Sequence, residues 1–417
     1  MMTEKQIQIV VLGAGYAGLM AAIRLAGKTK KRPVKVILVN ASDRFVERPR
    51  LHETATGNQP RQKPLADLIA GTGIEFRQGY VAAFDPDRRQ VTVETADGNE
   101  LLPYDYLVYA LGSRVDRTAV PGVVEHAYAL DAAGPLSAGP LQSRLQELAL
   151  TGGRVTVVGS GPTGIEAAAE IADLYPTLGV TIVTQGEFGA FKNERVQRYM
   201  RGAMRRLNIS LVEGASVREV REDELIIANG RTIPLEVAIW AGGFRALPLA
   251  RQAGLQVNGR DQILVDPCFR SLTQPNIYVA GDAAWPVHQP GAPLRMALFP
   301  ALVTGAHVAD NLSRMIHSQE QRPLGFSYYG QGIALGRHDA VGFATFPKDD
   351  PIGPLLTGRL VLVVRNCIVW LMLFLLAVER RRPGFFFWLG GRRGRERAGP
   401  RRRRFPIPTT SSRSTYD

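Results

Sequence analysis

Short unbroken apolar runs recur along the chain at Ile7–Leu12, Val34–Val39, Tyr106–Ala110, Val155–Val158, Val180–Val183, Val237–Ala241 and Asn276–Ala280. They are too short for buried helices and rich in β-branched residues, so they predict strands covered on both faces. Val91–Glu94 adds a further strand. Stretches of small and aliphatic residues at Leu19–Leu25, Ile165–Ile171 and about Leu298–Leu312 predict helices. The segment from Arg44 to His52, running on to Gly57, carries no period and predicts a loop. Proline and glycine thicken between Pro121 and Pro140, which predicts a crossover between two units.

Two of these strands end in the same punctuation. Gly13-Ala14-Gly15-Tyr16-Ala17-Gly18 follows the first strand, Gly159-Ser160-Gly161-Pro162-Thr163-Gly164 follows the one at Val155, and each opens a predicted helix. Strand, glycine turn, helix is the context in which this spacing cradles a pyrophosphate. The first glycine permits the tight turn, the second lets backbone approach the ligand, and the third lets helix and strand pack. The helix N-terminus adds free amides and a positive dipole. A duplicated turn therefore predicts two bound dinucleotides. Where an acidic residue would hold a ribose diol, the first unit offers Asn40 and the second Gln185, with Glu187 two residues on. No arginine cluster follows at once, so NADH is preferred in the second unit and NADPH stays open. A third strand delivers Gly281-Asp282 at its C-terminal end, where an aspartate can accept hydrogen bonds from a polyol or cap the next helix.

A different pattern governs the C-terminus. Leu360–Val364 is apolar, Arg365-Asn366 interrupts, and Cys367–Val378 runs unbroken. The unbroken part is short for a membrane span and fits an interfacial or re-entrant helix, with a buried or dimer-interface helix as the alternative. Charge sharpens this. The 417 residues carry a net +13, but 12 Arg against three acids between Glu379 and Asp417 account for +9 and leave +4 for the rest. A span would carry that basic tail away from cytosolic nucleotides, against the positive-inside bias. Residues 360–404 are therefore expected to rest on an anionic membrane surface, and no nucleic-acid-binding signature accompanies the basic tail.

Composition narrows the class. At 45% hydrophobic with 43 glycines, the chain can bury substantial cores in two or three domains. Cys268 and Cys367 lie far apart, offering neither a disulfide framework nor metal spacing. The first six residues contain no apolar signal region, so the body is expected to stay cytoplasmic, peripheral on the inner face of the membrane.

Together these residues resemble the flavoproteins with two dinucleotide-binding domains, and within them the type II NADH dehydrogenases and related FAD-containing NAD(P)H:quinone oxidoreductases. Gly13, Gly15, Tyr16, Ala17 and Gly18 are similar to that group's FAD turn; Gly159, Gly161, Pro162, Thr163 and Gly164, with Glu166, are similar to its nicotinamide turn. Gly281-Asp282 resembles its second FAD motif, and Ala110 with Gly112 and Gly243 match its strand-to-glycine signals between domains. The resemblance implies an α/β fold with two Rossmann-like domains, the NAD domain inserted in the FAD domain, plus a C-terminal membrane-associating segment. The expected boundaries are 1–120 and 251–325 for FAD, 121–250 for NAD(P)H, 326–390 for membrane contact and 391–417 for a basic, disordered tail. It further implies hydride transfer from NAD(P)H to FAD and two-electron reduction of a quinone, without a redox disulfide, with Glu166 near the nicotinamide and flavin. A homodimer is possible.

Arg48 and His52 are candidates to face the flavin, and Leu298 and Phe299 to line an acceptor tunnel. The glutamine expected beside the flavin is missing between Gln289 and Gln319. A soluble protein acceptor, as in ferredoxin reductases, therefore remains an alternative. So does a nucleotide-sensing scaffold without turnover.

Overall fold

The computed structural model describes residues 5–58, 62–190, 192–287, 294–345 and 350–388. Two five-stranded parallel sheets dominate, and they are built alike. The first has the spatial order Ile277–Val279, Tyr106–Tyr109, Ile7–Leu12, Val34–Asn40, Glu75–Gln78. The second runs Ala127–Ala129, Val237–Trp240, Gly153–Val158, Leu178–Val183, Ser210–Val212. In each, the strand that begins the unit lies third, with the next strand of its unit on one side and a later strand on the other. That reversal of direction is the switch point at which ligands bind in open parallel sheets. Both glycine turns sit there.

The strand runs are buried because helices cover both faces. Ile9, Val10, Val11 and Leu12 are fully buried, as are Val155 and Val157. The helix Tyr16–Thr29 packs against the helix Leu298–Ile316, which runs a turn beyond the expected Leu312. The supposed crossover after Pro121 instead contributes an edge strand, Ala127–Ala129, hydrogen-bonded to Val237–Trp240. An antiparallel three-stranded meander follows each unit, at Tyr80–Pro103 and Val217–Pro234. The chain passes between the two units twice, and the passages pair as the antiparallel ribbon Ser113–Val115 with Phe244–Ala246. Arg245 spans this junction to Asp116 at 3.1 Å and Asp261 at 2.8 Å.

A three-stranded antiparallel sheet, Gly330–Ala334, Ala340–Ala344 and Ile352–Thr357, leads into the C-terminal helix Arg359–Arg381. Arg365-Asn366 does not break that helix, because the Arg365 side chain leaves the apolar surface for an ion pair. At 23 residues it is about 35 Å long, and by length and composition it could cross a membrane. One face, however, is committed to the body through Met372, Leu373, Leu376 and Glu379. Glu379 is fully buried and bridges Arg24 at 2.7 Å and 3.0 Å, and Arg24 also reaches Asp310 at 3.2 Å. The backbone N–H of Phe386 donates to the same carboxylate at 2.8 Å. The opposite face leaves Leu360, Val363, Ile368, Trp370 and Phe374 exposed. Of the segment 360–404, residues 389–404 lie outside the described residues, as does the whole 391–417 tail.

Candidate active site

Each glycine turn is locked by the same collisions. A Cβ on Gly13 (φ +93°) would stand 2.5 Å from the Ala110 carbonyl oxygen, and one on Gly159 (φ +113°) 2.5 Å from that of Ala241. A Cβ on Gly18 would lie 1.8 Å from the Gly13 oxygen, and on Gly164 2.0 Å from the Gly159 oxygen. Gly15 and Gly161 face open space, with nothing within 4 Å of their Cβ positions. Both helices start without a side-chain cap and without an acidic residue in the first turn, and Pro162 begins the second. The first amides are thus left for a ligand, and the cradle is shaped for a pyrophosphate in both places.

Around the first turn, the structure brings residues from distant parts of the chain together. The Ala14 N–H donates to Asn40 Oδ1 at 2.9 Å, while Asn40 Nδ2 donates to the Ser42 carbonyl, so Asn40 ties the turn to the end of the neighbouring strand. Tyr16 is buried with its ring edge-on to Phe45 at 4.9 Å, and its hydroxyl finds no partner among the described residues. Ala17 is approached by Gly281 and Gly305, and the Gly281 N–H donates to Thr304 Oγ1 at 2.8 Å. Asp282 accepts from the Ser113 hydroxyl at 2.6 Å. Arg48 reaches the same place, donating to the Ser113 carbonyl. Burial pushes the Asp282 carboxyl up, against the Ser113 hydrogen bond and the Arg48 charge. Gly112 (φ +70°) has open space beside it. A half-buried aspartate with one neutral donor, beside an uncapped helix start, is a donor set that fits the polyol and pyrophosphate of FAD.

The second turn is more open. Ser160 and Thr184 hydroxyls meet at 2.8 Å, behind Gln185, which is exposed. Glu187 is drawn away to Arg201 at 3.2 Å, and Arg201 holds Glu213 at 2.5 Å. Gly243 (φ +123°) borders open space.

Between the turns lies a compact polar cluster. Arg48 opens a 3-10 turn, Arg48–Arg50, that passes into the short helix Leu51–Thr54. The loop expected here is helical because Pro49 suits a helix start and because Leu51, His52 and Glu53 bury their side chains beneath it. His52 is 6% exposed, and burial pulls its imidazole down while the nearby Glu166 carboxylate opposes this. Glu166, just past the first turn of the helix Pro162–Leu174, accepts from Arg365 Nη2 at 2.7 Å and from the Ala334 N–H at 3.1 Å. One carboxylate therefore joins the second turn, the C-terminal sheet and the C-terminal helix. Leu298 and Phe299 are half-buried at the start of their helix. The Phe299 ring packs on Tyr329 at 5.1 Å, Phe326 at 5.9 Å and Phe386 at 6.5 Å, which makes an aromatic wall. Next to it, Arg295 Nη1 donates to Gln331 Oε1 at 2.8 Å.

Ser113, Arg365 and Gln331 enter the site without a motif of their own in the sequence. A lone arginine inside an apolar run was the available signal for Arg365, since such a charge is costly unless it has a partner. Nothing local marked Gln331, which reaches this region only through the C-terminal sheet. Both cysteines are free, and burial pushes the Cys268 thiol up to about 11, so it is a poor thiolate nucleophile.

Comparison with known proteins bears on these arrangements. Residues 7–307 match the model of the pyridine nucleotide-disulphide oxidoreductase family. The chain is 27% identical over 383 residues to a demethylphylloquinone reductase of Synechocystis, covering 87% of this chain and 93% of that one. It is 24% identical over 375 residues to the type II NADH:quinone oxidoreductase of Staphylococcus aureus, covering 82% and 90%. Among solved structures, the NDH2 of Plasmodium falciparum in complex with NADH superposes with a TM-score of 0.75 at 16% identity, covering 91% of this chain and 99% of that one.

Proposed function

This chain belongs to the pyridine nucleotide-disulphide oxidoreductase family, and we propose that within it the protein is an FAD-dependent NAD(P)H:quinone oxidoreductase. The observation that carries this reading is the pairing of two equivalent pyrophosphate cradles with a buried polar cluster that an apolar, half-docked helix closes off. When bound, the cofactors supply hydride transfer from the nicotinamide to the flavin and two-electron delivery to the acceptor. The names of full-length relatives, a demethylphylloquinone reductase and type II NADH:quinone oxidoreductases, support a quinone as that acceptor.

The residues divide the work. Gly13, Gly15 and Gly18 would hold the FAD pyrophosphate against the amides of Tyr16–Thr29, and Asp282, oriented by Ser113 and Arg48, would accept from the ribityl hydroxyls. Gly159, Gly161 and Gly164, with Pro162 and Thr163, would take the nicotinamide dinucleotide. Gln185 offers a neutral amide to its ribose, which favours NADH without barring NADPH. Glu166 and His52 orient polar groups at the reacting face, and Arg365 fixes the Glu166 carboxylate there. The aromatic wall at Phe299 would exclude water from an apolar acceptor's path.

The C-terminal helix would lie in the membrane interface. One side of its C-terminal half, Met372, Leu373, Leu376 and Glu379, is buried on the body, so that half is not free to be ringed by lipid, whereas its exposed aromatic and aliphatic face suits the headgroup boundary. The protein would then sit peripherally on the cytoplasmic face, and pairing of two copies through this same face is the alternative use of it.

Anaerobic stopped-flow mixing tests the assignment. Flavin should bleach with NADH faster than with NADPH, then recover on adding a quinone much faster than with oxygen. Recovery with a ferredoxin and not with any quinone would replace the acceptor, and no bleaching at all would leave a nucleotide-binding scaffold.

A further inference from the structure

Cations crowd the end of the first helix of the N-terminal unit. Lys28, Lys30, Lys31, Arg32 and Lys35 fall in one short stretch, and a lysine near a helix C-terminus is ordinary because it offsets the dipole there. The C-terminal segment makes the place unusual. It brings Arg380, Arg381 and Arg382 to the same end of the molecule: a Cβ on Gly27 would stand 2.1 Å from Pro383 Cγ, and one on Gly384 3.4 Å from Lys28 Cε. Arg380 donates to the Asp67 carbonyl on the helix Leu65–Ile69, so the two basic runs are fixed side by side.

Like charges gathered on one surface repel unless something offsets them. Lys28 pairs with Asp310 at 2.5 Å and Lys35 with Glu75 at 2.7 Å. Lys30, Lys31, Arg381 and Arg382 are exposed and have no carboxylate partner among the described residues, with the exposed Asp67 opposing them only in part. Beside them lies a groove of about 350 Å³, floored by Ala26, Val34 and Val36 and rimmed by Lys30 and the turn 71–73. Gly71 and Gly73 take left-handed backbone (φ +75° and +77°) with nothing near their Cβ positions, which leaves that rim open. Phe385 and Phe387, just past the arginines, are exposed. Charge decides what covers such a surface. The sequence after Trp388 is itself basic and a second copy also carries +13, so neither the chain's own tail nor another molecule of it fits. The partner is anionic, and exposed aromatics in the same segment favour a bilayer surface over a nucleic acid.

We propose that this end of the first unit is a membrane contact in its own right: Lys30, Lys31, Arg381 and Arg382 bind the phosphate groups of anionic phospholipids, with one headgroup seated in the groove beside Lys30. The proposal rests on the reading of the protein as peripheral on the cytoplasmic face, where anionic lipids give the bilayer a negative surface. Each basic side chain at such a surface raises affinity about fivefold, provided that it lies within a Debye length, about 8 Å in physiological salt. The exposed face of the helix Arg359–Arg381 and the cations beyond its end are then two separate attachments. One is apolar and indifferent to headgroup charge. The other is electrostatic and holds the FAD unit itself, rather than the helix alone, against the bilayer.

Co-sedimentation of the full-length, flavin-loaded protein with vesicles tests this, using phosphatidylcholine alone and phosphatidylcholine mixed with phosphatidylglycerol. Lys30→Gln with Lys31→Gln should weaken binding to the mixed vesicles about 10–30-fold and leave phosphatidylcholine binding, flavin content and bleaching by NADH as in the wild type. Arg381→Gln with Arg382→Gln should do the same. Arg195→Gln with Arg198→Gln removes equal charge from exposed positions on the helix Glu194–Arg206 of the second unit and should change nothing. If that pair weakens binding as much as the lysine pair does, overall charge attracts the vesicles and the proposal is overturned. It is overturned too if the lysine pair binds mixed vesicles like the wild type, if inorganic phosphate displaces them where chloride of equal ionic strength does not, or if a DNA duplex binds more tightly at the same salt. Wild-type protein that binds neither vesicle would remove the peripheral reading along with the proposal. If instead Trp370→Ser with Phe374→Ser, which strips the exposed face of the C-terminal helix, leaves all vesicle binding intact while the lysine pair loses the anionic vesicles, the interfacial helix fails and the headgroup site stands.

Discussion

The two dinucleotide units share strand order, turn geometry and even the atoms their glycines would strike, yet they are closed to different degrees. Over the first turn, the helix Leu298–Ile316 comes so near that a Cβ on Gly305 would lie 2.2 Å from the Ala17 oxygen. The C-terminal segment then clasps the helix Tyr16–Thr29 from outside, through Arg24 and through Pro383 packed on Gly27. Over the second turn, the rim is the exposed Gln185 and an ion pair that points away. One architecture thus serves a group meant to stay and a group meant to leave. Enclosure, more than the motif, separates a resident cofactor from an exchangeable substrate.

The deepest part of that enclosure is also the most fragile. Arg24 is 1% exposed and Glu379 fully buried, and removing one member of such a pair leaves an uncompensated charge, at about 3–5 kcal/mol. Arg24→Met should therefore lower the stability of the first unit by that amount in urea unfolding and release the C-terminal segment to protease. Arg24→Met with Glu379→Met should recover most of the loss.

A pH dependence should single out the same region. His307 is buried on the covering helix, against Phe269 and hydrogen-bonded with Asn311, and burial pulls its imidazole down to about 4. The sign follows from proton counts. Above about 6.5 the ring is neutral in both folded and unfolded chains and contributes nothing. As pH falls from there toward 4, the unfolded chain binds a proton the folded one refuses, so stability drops by up to about 1.4 kcal/mol per pH unit. Unfolding midpoints measured between pH 7 and 4.5 should fall steeply, and His307→Gln should flatten that slope whatever its effect at pH 7.

The turns themselves can be set against each other. Alanine at Gly18 or Gly164 forces a backbone shift of similar size, a strain of about 1–3 kcal/mol. Gly18→Ala should purify with little flavin. Gly164→Ala should keep its flavin but need about 10–100-fold more NADH for half-maximal bleaching, the same energy expressed as affinity. Loss of flavin from both variants to the same extent would erase the distinction between the units.

Much of this frame was legible in the chain because it rests on local rules. The glycine spacing after an apolar run marked both turns, since only glycine fits under the Ala110 and Ala241 carbonyls, and Asp282 was marked by the strand that delivers it. What escaped detection depends on tertiary closure. The sequence around His52 reads as a loop because four helical residues make too little periodicity to show. Arg365 looked like a break in an apolar run, since its partner Glu166 is 199 positions away. The edge strand at Ala127 was hidden in a proline- and glycine-rich stretch, since three residues gain strand geometry only by pairing with Val237–Trp240.

The smallest effect should come at the open rim. Gln185 follows the strand Leu178–Val183 with an uncharged amide, and the acid that would repel a 2′-phosphate, Glu187, is held at Arg201. The site therefore discriminates between the two nicotinamide dinucleotides weakly. Gln185→Arg adds a cation at an exposed position, where a charge-assisted contact contributes about 1 kcal/mol, and should move the NADPH-to-NADH ratio of bleaching rates upward by about fivefold while leaving flavin content unchanged. Gln185→Asp should move it the other way by a similar factor. If neither moves it, selectivity is set deeper, at Ser160 and Thr184, where the two hydroxyls already satisfy each other, and the second unit is less open than its rim implies.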